Sequence, residues 1–175
     1  MRRIASAIVL AVSVGLMPTN AVLAASWAVD DTCALSYSGT YFVITGPSSG
    51  WHIHQDAASP GDCHLYTQTS SNANPVQTAA YYLPVTGFPD GYYRVWAFIN
   101  CEHKNAWMKY WVYLHGSGGG VSLTATKVVT SYCDMSAQVV SASNFRASEG
   151  AYVRLVDNTG TATTYQNADW LLYLP

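Results

Sequence analysis

Hydrophobic residues in this chain recur at every second position, in short runs separated by glycine, proline, asparagine and serine. Alternation with a period of two is typical of β-strands, and no segment keeps the 3.6-residue period of an amphipathic helix. The predicted strands span Thr40–Thr45, Trp51–Gln55, His64–Gln68, Val76–Val85, Gly91–Ile99, Ala106–His115, Val121–Val129, Ala137–Ser141, Ala151–Asp157 and Trp170–Leu174. Strands at about ten-residue spacing indicate an all-β fold, a single antiparallel β-sandwich domain.

The clearest strand is Gly91–Ile99, in which both alternating sets of side chains are largely apolar. One set contains Tyr93 and Val95, and the other contains Trp96 and Phe98. A strand with two apolar faces is typical of the middle of a sheet that is covered on both sides. We therefore expect this strand at the centre of its sheet with both faces buried.

Four short motifs follow one another in a recognisable order. They are an aromatic-proline strand at Ala80–Val85, a Gly-x-Tyr-x-Val-x-Ala strand at Gly91–Ala97, a strand with a histidine before a glycine at Tyr110–Gly116, and a terminal Ala-Asp strand at Ala168–Tyr173. This succession resembles the golvesin C-terminal/xanthan lyase carbohydrate-binding-like domain over most of residues 40–174. The resemblance implies a jelly-roll-like β-sandwich, usually attached to polysaccharide-active or cell-wall-associated proteins.

Residues 1–25 have the composition of a secretory signal peptide. Arg2 and Arg3 precede an apolar stretch, and small residues up to Ala25 provide a cleavage position. The apolar stretch is too short to span a membrane well. We therefore predict a secreted, extracellular protein, in which residues 26–39 form an N-terminal extension with the first cysteine and residues 40–175 form the sandwich.

The charge of the chain excludes some classes of partner. It carries 8 basic and 10 acidic residues, and two of the basic residues lie in the leader. The absence of any basic cluster in the sequence argues against nucleic acid and anionic membranes. Tyrosine and tryptophan are abundant, with 13 and 6 copies. A surface that is low in charge and rich in aromatic rings favours sugars or proteins as ligands.

Four cysteines follow the leader, namely Cys33, Cys63, Cys101 and Cys133. An even number of cysteines in an exported domain predicts two disulfides, because the compartment is oxidising. We favour the pairing Cys33–Cys63 with Cys101–Cys133, which joins neighbours in sequence, and the two other pairings stay open. A structural zinc site is disfavoured because no pair shows the close C-x-x-C spacing.

Two patterns raise the question of catalysis. Gly46–Gly50 matches the G-x-S-x-G nucleophile elbow, but an elbow requires a helix after the serine and Trp51–Gln55 is strand-like, so we favour a hairpin turn. The two glutamates of the chain, Glu102 and Glu149, form no motif for glycoside hydrolysis. We expect Asp169 to be a buried hydrogen-bond acceptor. No catalytic residue is predicted.

Three histidines raise the question of a metal ion. His52 and His54 share one strand face, and with His64 or Asp56 they could hold a metal with an open position for water. Two solvated histidines are the simpler interpretation. We therefore predict neither a metal nor a cofactor.

The strongest candidate for binding is an aromatic stripe within Trp107–Leu114. Alternation predicts a core face and an opposite, outer face. The core face contains Met108, Tyr110, Val112 and Leu114, and the outer face contains Trp107, Lys109, Trp111 and Tyr113. Flat rings on a rigid strand can stack against the apolar face of a sugar or anchor a protein interface. The alternative is that both faces of the strand are buried.

Two functions of different classes are compatible with this sequence. The first is a secreted, non-catalytic binding domain for extracellular polysaccharide or cell-wall glycan. The alternative is an adaptor or structural subunit of a secreted multi-protein assembly. It would bind protein partners through the aromatic stripe and through Trp27 and Val29, which lie in a short segment that a partner's sheet could take up as a strand. A hydrolase is a distant third.

Overall fold

The computed structural model describes residues 26–29, 41–55, 63–83, 88–100, 106–116, 118–129 and 135–175. The predicted signal peptide, Asp56, Glu102, Cys33, Cys101 and Cys133 lie outside these ranges. Export therefore stays a prediction. No helix within the described ranges is long and apolar enough to cross a membrane.

The described residues form twelve strands and two short 3₁₀ turns. The strands are β1 Trp27–Val29, β2 Phe42–Thr45, β3 Trp51–Gln55, β4 Cys63–Gln68, β5 Thr78–Tyr82, β6 Gly91–Ile99, β7 Met108–His115, β8 Val121–Val129, β9 Met135–Phe145, β10 Tyr152–Val156, β11 Tyr165–Ala168 and β12 Leu171–Leu174. The 3₁₀ turns are Ser48–Gly50 and Ala147–Glu149. The predicted all-β fold is confirmed.

The strands pair into three antiparallel sheets. The four-stranded sheet has the order β1-β12-β6-β9, and the five-stranded sheet has the order β2-β5-β10-β7-β8. The third sheet, β11-β4-β3, has three strands. Most neighbours within a sheet are distant in sequence, so the chain crosses repeatedly between sheets. This is an antiparallel, jelly-roll-like β-sandwich, as predicted.

The core lies between the four-stranded and five-stranded sheets, because each turns an apolar face inward. Val95 on β6 and Met108 on β7 are completely buried and belong to one cluster. The Tyr173 hydroxyl on β12 donates a hydrogen bond to the Tyr81 carbonyl oxygen on β5 at 2.9 Å, which links the two sheets. The outward face of each sheet is left for other roles.

The position of β6 is as predicted, but its burial is not. It lies between β12 and β9, so its central place in the sheet is confirmed. Tyr93 and Val95 are buried, whereas Tyr92 is 71% exposed and Arg94 is also exposed. Trp96 on the same outward face is half-buried. The expectation that both faces of β6 are buried is therefore wrong. Large aromatic side chains such as Trp96 are stable on a sheet face that is partly exposed to solvent.

The N-terminal segment contributes to the sandwich. β1 pairs with β12 of the same chain, with Trp27 opposite Tyr173 and Val29 opposite Leu171. The Val29 side chain is only 3% exposed and belongs to the core cluster. The Val29 side chain is thus used inside its own domain, and partner binding by Trp27 and Val29 stays a prediction. The sandwich includes this strand, which the sequence placed in the extension.

Cys63 begins β4 and is fully buried. No described cysteine is free, and Cys63 is disulfide-bonded. Its sulfur partner lies outside the described ranges. The number of disulfides in the chain and their pairing stay predictions.

Candidate functional site

The aromatic stripe of β7 faces outward from the five-stranded sheet. Met108, Tyr110 and Val112 are buried in the core, as the alternation predicts. Trp107, the residue before β7, is 59% exposed. Trp111 is half-buried, as is Tyr113. The prediction of an inner and an outer face is confirmed, and the alternative of a strand buried on both faces is wrong.

Strand register extends the stripe across two more strands. Tyr152 on β10 lies opposite both Tyr82 on β5 and Tyr113 on β7, so three tyrosines form one row across the sheet. The rings of Tyr113 and Tyr152 stack with centroids 4.5 Å apart and an interplanar angle of 7°. Tyr82 lies 4.6 Å from Tyr152 at 31°. We call Tyr82, Tyr152 and Tyr113 the tyrosine row.

Stacking within the tyrosine row covers ring faces of its members. Its ring spacing is close to the spacing of neighbouring strands, about 4.8 Å, so the rings stand upright on the sheet like the strands beneath them. One face of Tyr113 is therefore covered by Tyr152 and is closed to a sugar ring. The sequence predicts that Tyr113 stacks flat against a ligand. This prediction is corrected for the ring face that Tyr152 already covers. The row offers hydroxyl groups instead.

The Tyr152 hydroxyl, in the middle of the row, stays protonated at ordinary pH. Burial raises the pKa of Tyr152 to about 12, and the neighbouring Arg154 opposes the rise only in part. Tyr82 and Tyr113 raise this pKa further, the latter also through a side-chain hydrogen bond. A neutral phenol can both donate and accept a hydrogen bond. The row is thus suited to hydroxyl-rich ligands.

The two tryptophans provide apolar surface beside the row. The Trp111 ring meets Tyr113 edge to face, with centroids 6.5 Å apart and an angle of 63°, so it does not join the stack of the tyrosine row. Lys109 projects between Trp107 and Trp111, and its Nζ lies 5.7 Å from the centre of the Trp111 ring. At a rise of roughly 3.3 Å per residue, the Cα atoms of Trp107 and Trp111 are about 13 Å apart.

Arg154 lies in the middle of this surface. It faces Trp111 across the strands, and its guanidinium carbon lies 5.3 Å from the Tyr113 ring and 5.2 Å from the Tyr152 ring. Both contacts have cation–π geometry. We call the surface formed by the tyrosine row, Trp107, Trp111, Lys109 and Arg154 the aromatic face.

Sequence reasoning found Trp107, Trp111 and Tyr113 but missed Tyr82, Tyr152 and Arg154. Only strand register brings β5 and β10 beside β7, and register between strands far apart in sequence cannot be read from alternation. One signal was present. Tyr152 and Arg154 occupy alternate positions of a predicted strand and so share a face.

The Gly46–Gly50 segment is a turn, as predicted. Ser48–Gly50 forms a 3₁₀ turn that leads directly into β3, and no helix follows the serine. The Gln77 amide fills the space beside the turn and donates to the Pro47 carbonyl oxygen at 3.2 Å. Gly46 has a φ of +106°, and a Cβ there would clash with the backbone carbonyl oxygen of Val76, so the turn requires glycine at this position. The nucleophile-elbow interpretation is wrong.

The histidines lie together on one face of the three-stranded sheet. His54 pairs with His64 at a ring distance of 5.2 Å, and His52 stacks on Tyr66 at 5.1 Å. His64 is fully buried, so the simple picture of solvated histidines does not extend to it. The described part of the chain contains no group of three or more residues placed to hold a metal ion. Asp56, the other ligand considered, lies outside it.

Glu149 takes part in an ion-pair group at the end of β7. Its carboxylate lies 3.0 Å from His115 Nδ1 and 3.1 Å from Arg146 Nη1. His115 and Arg146 also border an open groove of about 640 Å³ between β8 and β9. Asp169 is buried, as expected, at 2% exposure.

No family model matches this chain, and no curated protein matches it in sequence. Solved structures with a similar fold exist. A xanthan lyase from Paenibacillus matches with a TM-score of 0.59 and 13% sequence identity, over 86% of this chain and 13% of the lyase chain. This chain thus spans a small part of the lyase's length. The match confirms the sandwich fold that the motifs implied, and the golvesin family stays a prediction.

Two further structures resemble the chain at lower scores. One contains the CBM22-1–GH10 modules of endo-1,4-β-D-xylanase 10B from Clostridium thermocellum with xylohexaose. It has a TM-score of 0.45 and 13% identity, over 84% of this chain and 28% of that chain. The other is TmCBM61 with β-1,4-galactotriose. It has a TM-score of 0.41 and 12% identity, over 78% of this chain and 90% of that chain.

Proposed function

We propose that this protein is a secreted, non-catalytic domain that binds extracellular polysaccharide or cell-wall glycan through its aromatic face. The observation that carries the proposal is the outward-facing pair Trp107 and Trp111 beside the row of tyrosine hydroxyls. The family we propose is that of the golvesin C-terminal/xanthan lyase domains, and the motifs and the likeness to xanthan lyase support it.

The chemistry of the aromatic face suits a sugar polymer. A sugar ring has apolar C–H patches and a rim of hydroxyl groups, so it needs both flat apolar surface and hydrogen-bonding groups. The indoles supply the first, and the tyrosine row with Lys109 supplies the second. Because the Cα atoms of Trp107 and Trp111 are about 13 Å apart, a ligand touching both extends over more than one sugar unit.

Binding to a panel of polysaccharides tests this function. The mature protein is mixed with insoluble polysaccharides and with an array of soluble glycans, and Trp107→Ala and Trp111→Ala are compared with Tyr92→Ala. Tyr92 is a matched control, because it is more exposed than either tryptophan and lies on the opposite sheet.

We expect the wild type and Tyr92→Ala to bind the same glycan, and Trp111→Ala to bind it at least tenfold more weakly. Truncation of an aromatic anchor commonly costs about 2 kcal/mol or more, and 1.4 kcal/mol corresponds to a factor of ten. Equal losses in all three variants, or no bound glycan, would refute the proposal. In the second case, stoichiometric co-elution with another secreted protein would favour the alternative, an adaptor that uses the same face and β1.

A further inference from the structure

The aromatic face carries two cations that have no acidic partner among the described residues. Arg154 contacts the rings of Tyr113 and Tyr152, and Lys109 contacts the ring of Trp111. The Lys109 ammonium donates one hydrogen bond, of 3.1 Å, to the neutral carbonyl oxygen of Asn158. Both positive charges thus stand inside the surface that the proposed function assigns to the glycan.

The Arg154 guanidinium is short of hydrogen-bond acceptors. It has five N–H donors, and none forms a hydrogen bond within the described part of the chain. Its Nε atom is buried without a partner. The contacts with the two tyrosine rings compensate only in part for the free energy of hydration that the guanidinium loses on burial. An acceptor on the ligand would complete the site.

Other basic side chains among the described residues have hydrogen-bond or ion-pair partners, in contrast to Arg154. Arg146 and His115 both pair with Glu149 within 3.1 Å. Arg94, on the outer face of the four-stranded sheet, donates to the Pro175 carbonyl oxygen at 3.2 Å. Arg154 is instead held over two rings, beside the indole of Trp111 that lies opposite it in the sheet. The rings fix the guanidinium at a point where a sugar on Trp111 would place its substituents.

We propose that the aromatic face selects glycans that carry carboxylates, with Arg154 binding the carboxylate and Lys109 supporting it. A guanidinium can donate two parallel hydrogen bonds to one carboxylate, which a lysine ammonium cannot reproduce. This inference rests on the proposed function, because it names the chemical class of the ligand at the same face.

The test uses pairs of polymers that differ only in charge. Polygalacturonate and alginate are each compared with their carboxyl-reduced forms, and dextran sulfate is the control for charge without carboxylates. The variants are Arg154→Gln, Arg154→Lys and Lys109→Gln. Arg94→Gln is the matched control, since it removes the same charge from the outer face of the opposite sheet. The quantity compared is the affinity ratio of acidic to reduced polymer within each variant, so any loss of folded protein cancels.

We expect the wild type and Arg94→Gln to bind at least one acidic polymer tenfold or more tightly than its reduced form. Arg154→Gln should bring this ratio close to one, and Arg154→Lys and Lys109→Gln should give intermediate ratios. Added salt should lower the ratio, because ions screen exposed charges. A wild-type ratio near one with retained binding would overturn the carboxylate inference and leave the proposed function intact. Equal binding of dextran sulfate would also overturn it. Absence of binding to every acidic and neutral glycan would overturn both.

Discussion

Tyr173 illustrates how a single polar atom is accommodated in the core. Its side chain is completely buried, and its hydroxyl donates to the Tyr81 carbonyl oxygen on the facing sheet. Burial raises the pKa of Tyr173 well above its ordinary value of 10, and a hydrogen bond with the Val153 backbone opposes this only in part. The phenol is thus neutral in the folded protein at ordinary pH.

Tyr173→Phe should lower the free energy of unfolding by about 0.5–1.5 kcal/mol, because the inter-sheet hydrogen bond is lost while the ring still packs. Tyr92→Phe is the control, since Tyr92 is exposed, and it should change stability very little. Urea unfolding at about pH 8 measures both, within a two-state treatment. Equal stabilities of the two variants would show that the hydroxyl does not contribute.

The same tyrosine predicts a pH dependence. Because its folded pKa is raised, its contribution is fully present below pH 10 and is lost as the pH rises, when the unfolded chain releases the proton first. The wild type should therefore lose more stability than Tyr173→Phe between about pH 9 and about pH 11. Parallel losses in the two proteins would contradict the assignment.

At the scale of elements, the clearest strands were predictable and two others were not. The bounds of β3, β6 and β8 agree with the prediction, since turn-forming residues flank each of these strands in the sequence. β11 was missed because its central residues, Gln166 and Asn167, are polar although both are buried. β9 extends further than predicted on both sides. At its C-terminal end, the serine and asparagine residues interrupt the alternation of apolar and polar residues by which a strand is recognised.

β1 shows that a short strand can matter to the core. Val29→Ala should destabilise the protein by about 1–3 kcal/mol, because it removes two methyl groups from a packed site and leaves a cavity. Val128→Ala is the matched control on β8, where the valine is 41% exposed, and it should fall within about 0.5 kcal/mol of the wild type. Thermal and urea unfolding measure both changes. If Val29→Ala were as mild as its control, β1 would not be part of the stable sheet in solution.

At the scale of the whole molecule, some features can be predicted from the sequence, and others become visible only in the fold. Alternation and turn residues were sufficient for the sandwich, because they are local properties of the chain. The aromatic face depends on β5, β7 and β10 lying side by side, which long-range pairing decides. The stripe on β7 was therefore predictable from its own residues, whereas Tyr82, Tyr152 and Arg154 joined it only once the register was known.

The two outward faces of the sandwich also differ in a way that the sequence did not show. On the four-stranded sheet, Phe98 stacks on Trp170 with centroids 5.9 Å apart and an angle of 11°, so these rings cover each other. On the five-stranded sheet, Trp107 is exposed and Arg154 has no acidic partner among the described residues. The proposed function places the ligand on the second surface.

The most direct test of this central claim is to map the bound glycan by NMR. The isotope-labelled mature protein is titrated with the soluble glycan that it binds best, and the shifts of indole and backbone N–H signals are followed. We predict that the largest changes occur at the Trp107 and Trp111 indoles and along β7 and β10, with the Trp96 and Trp170 indoles unchanged. Changes centred on Trp96 and Trp170, with Trp107 and Trp111 unaffected, would contradict the account.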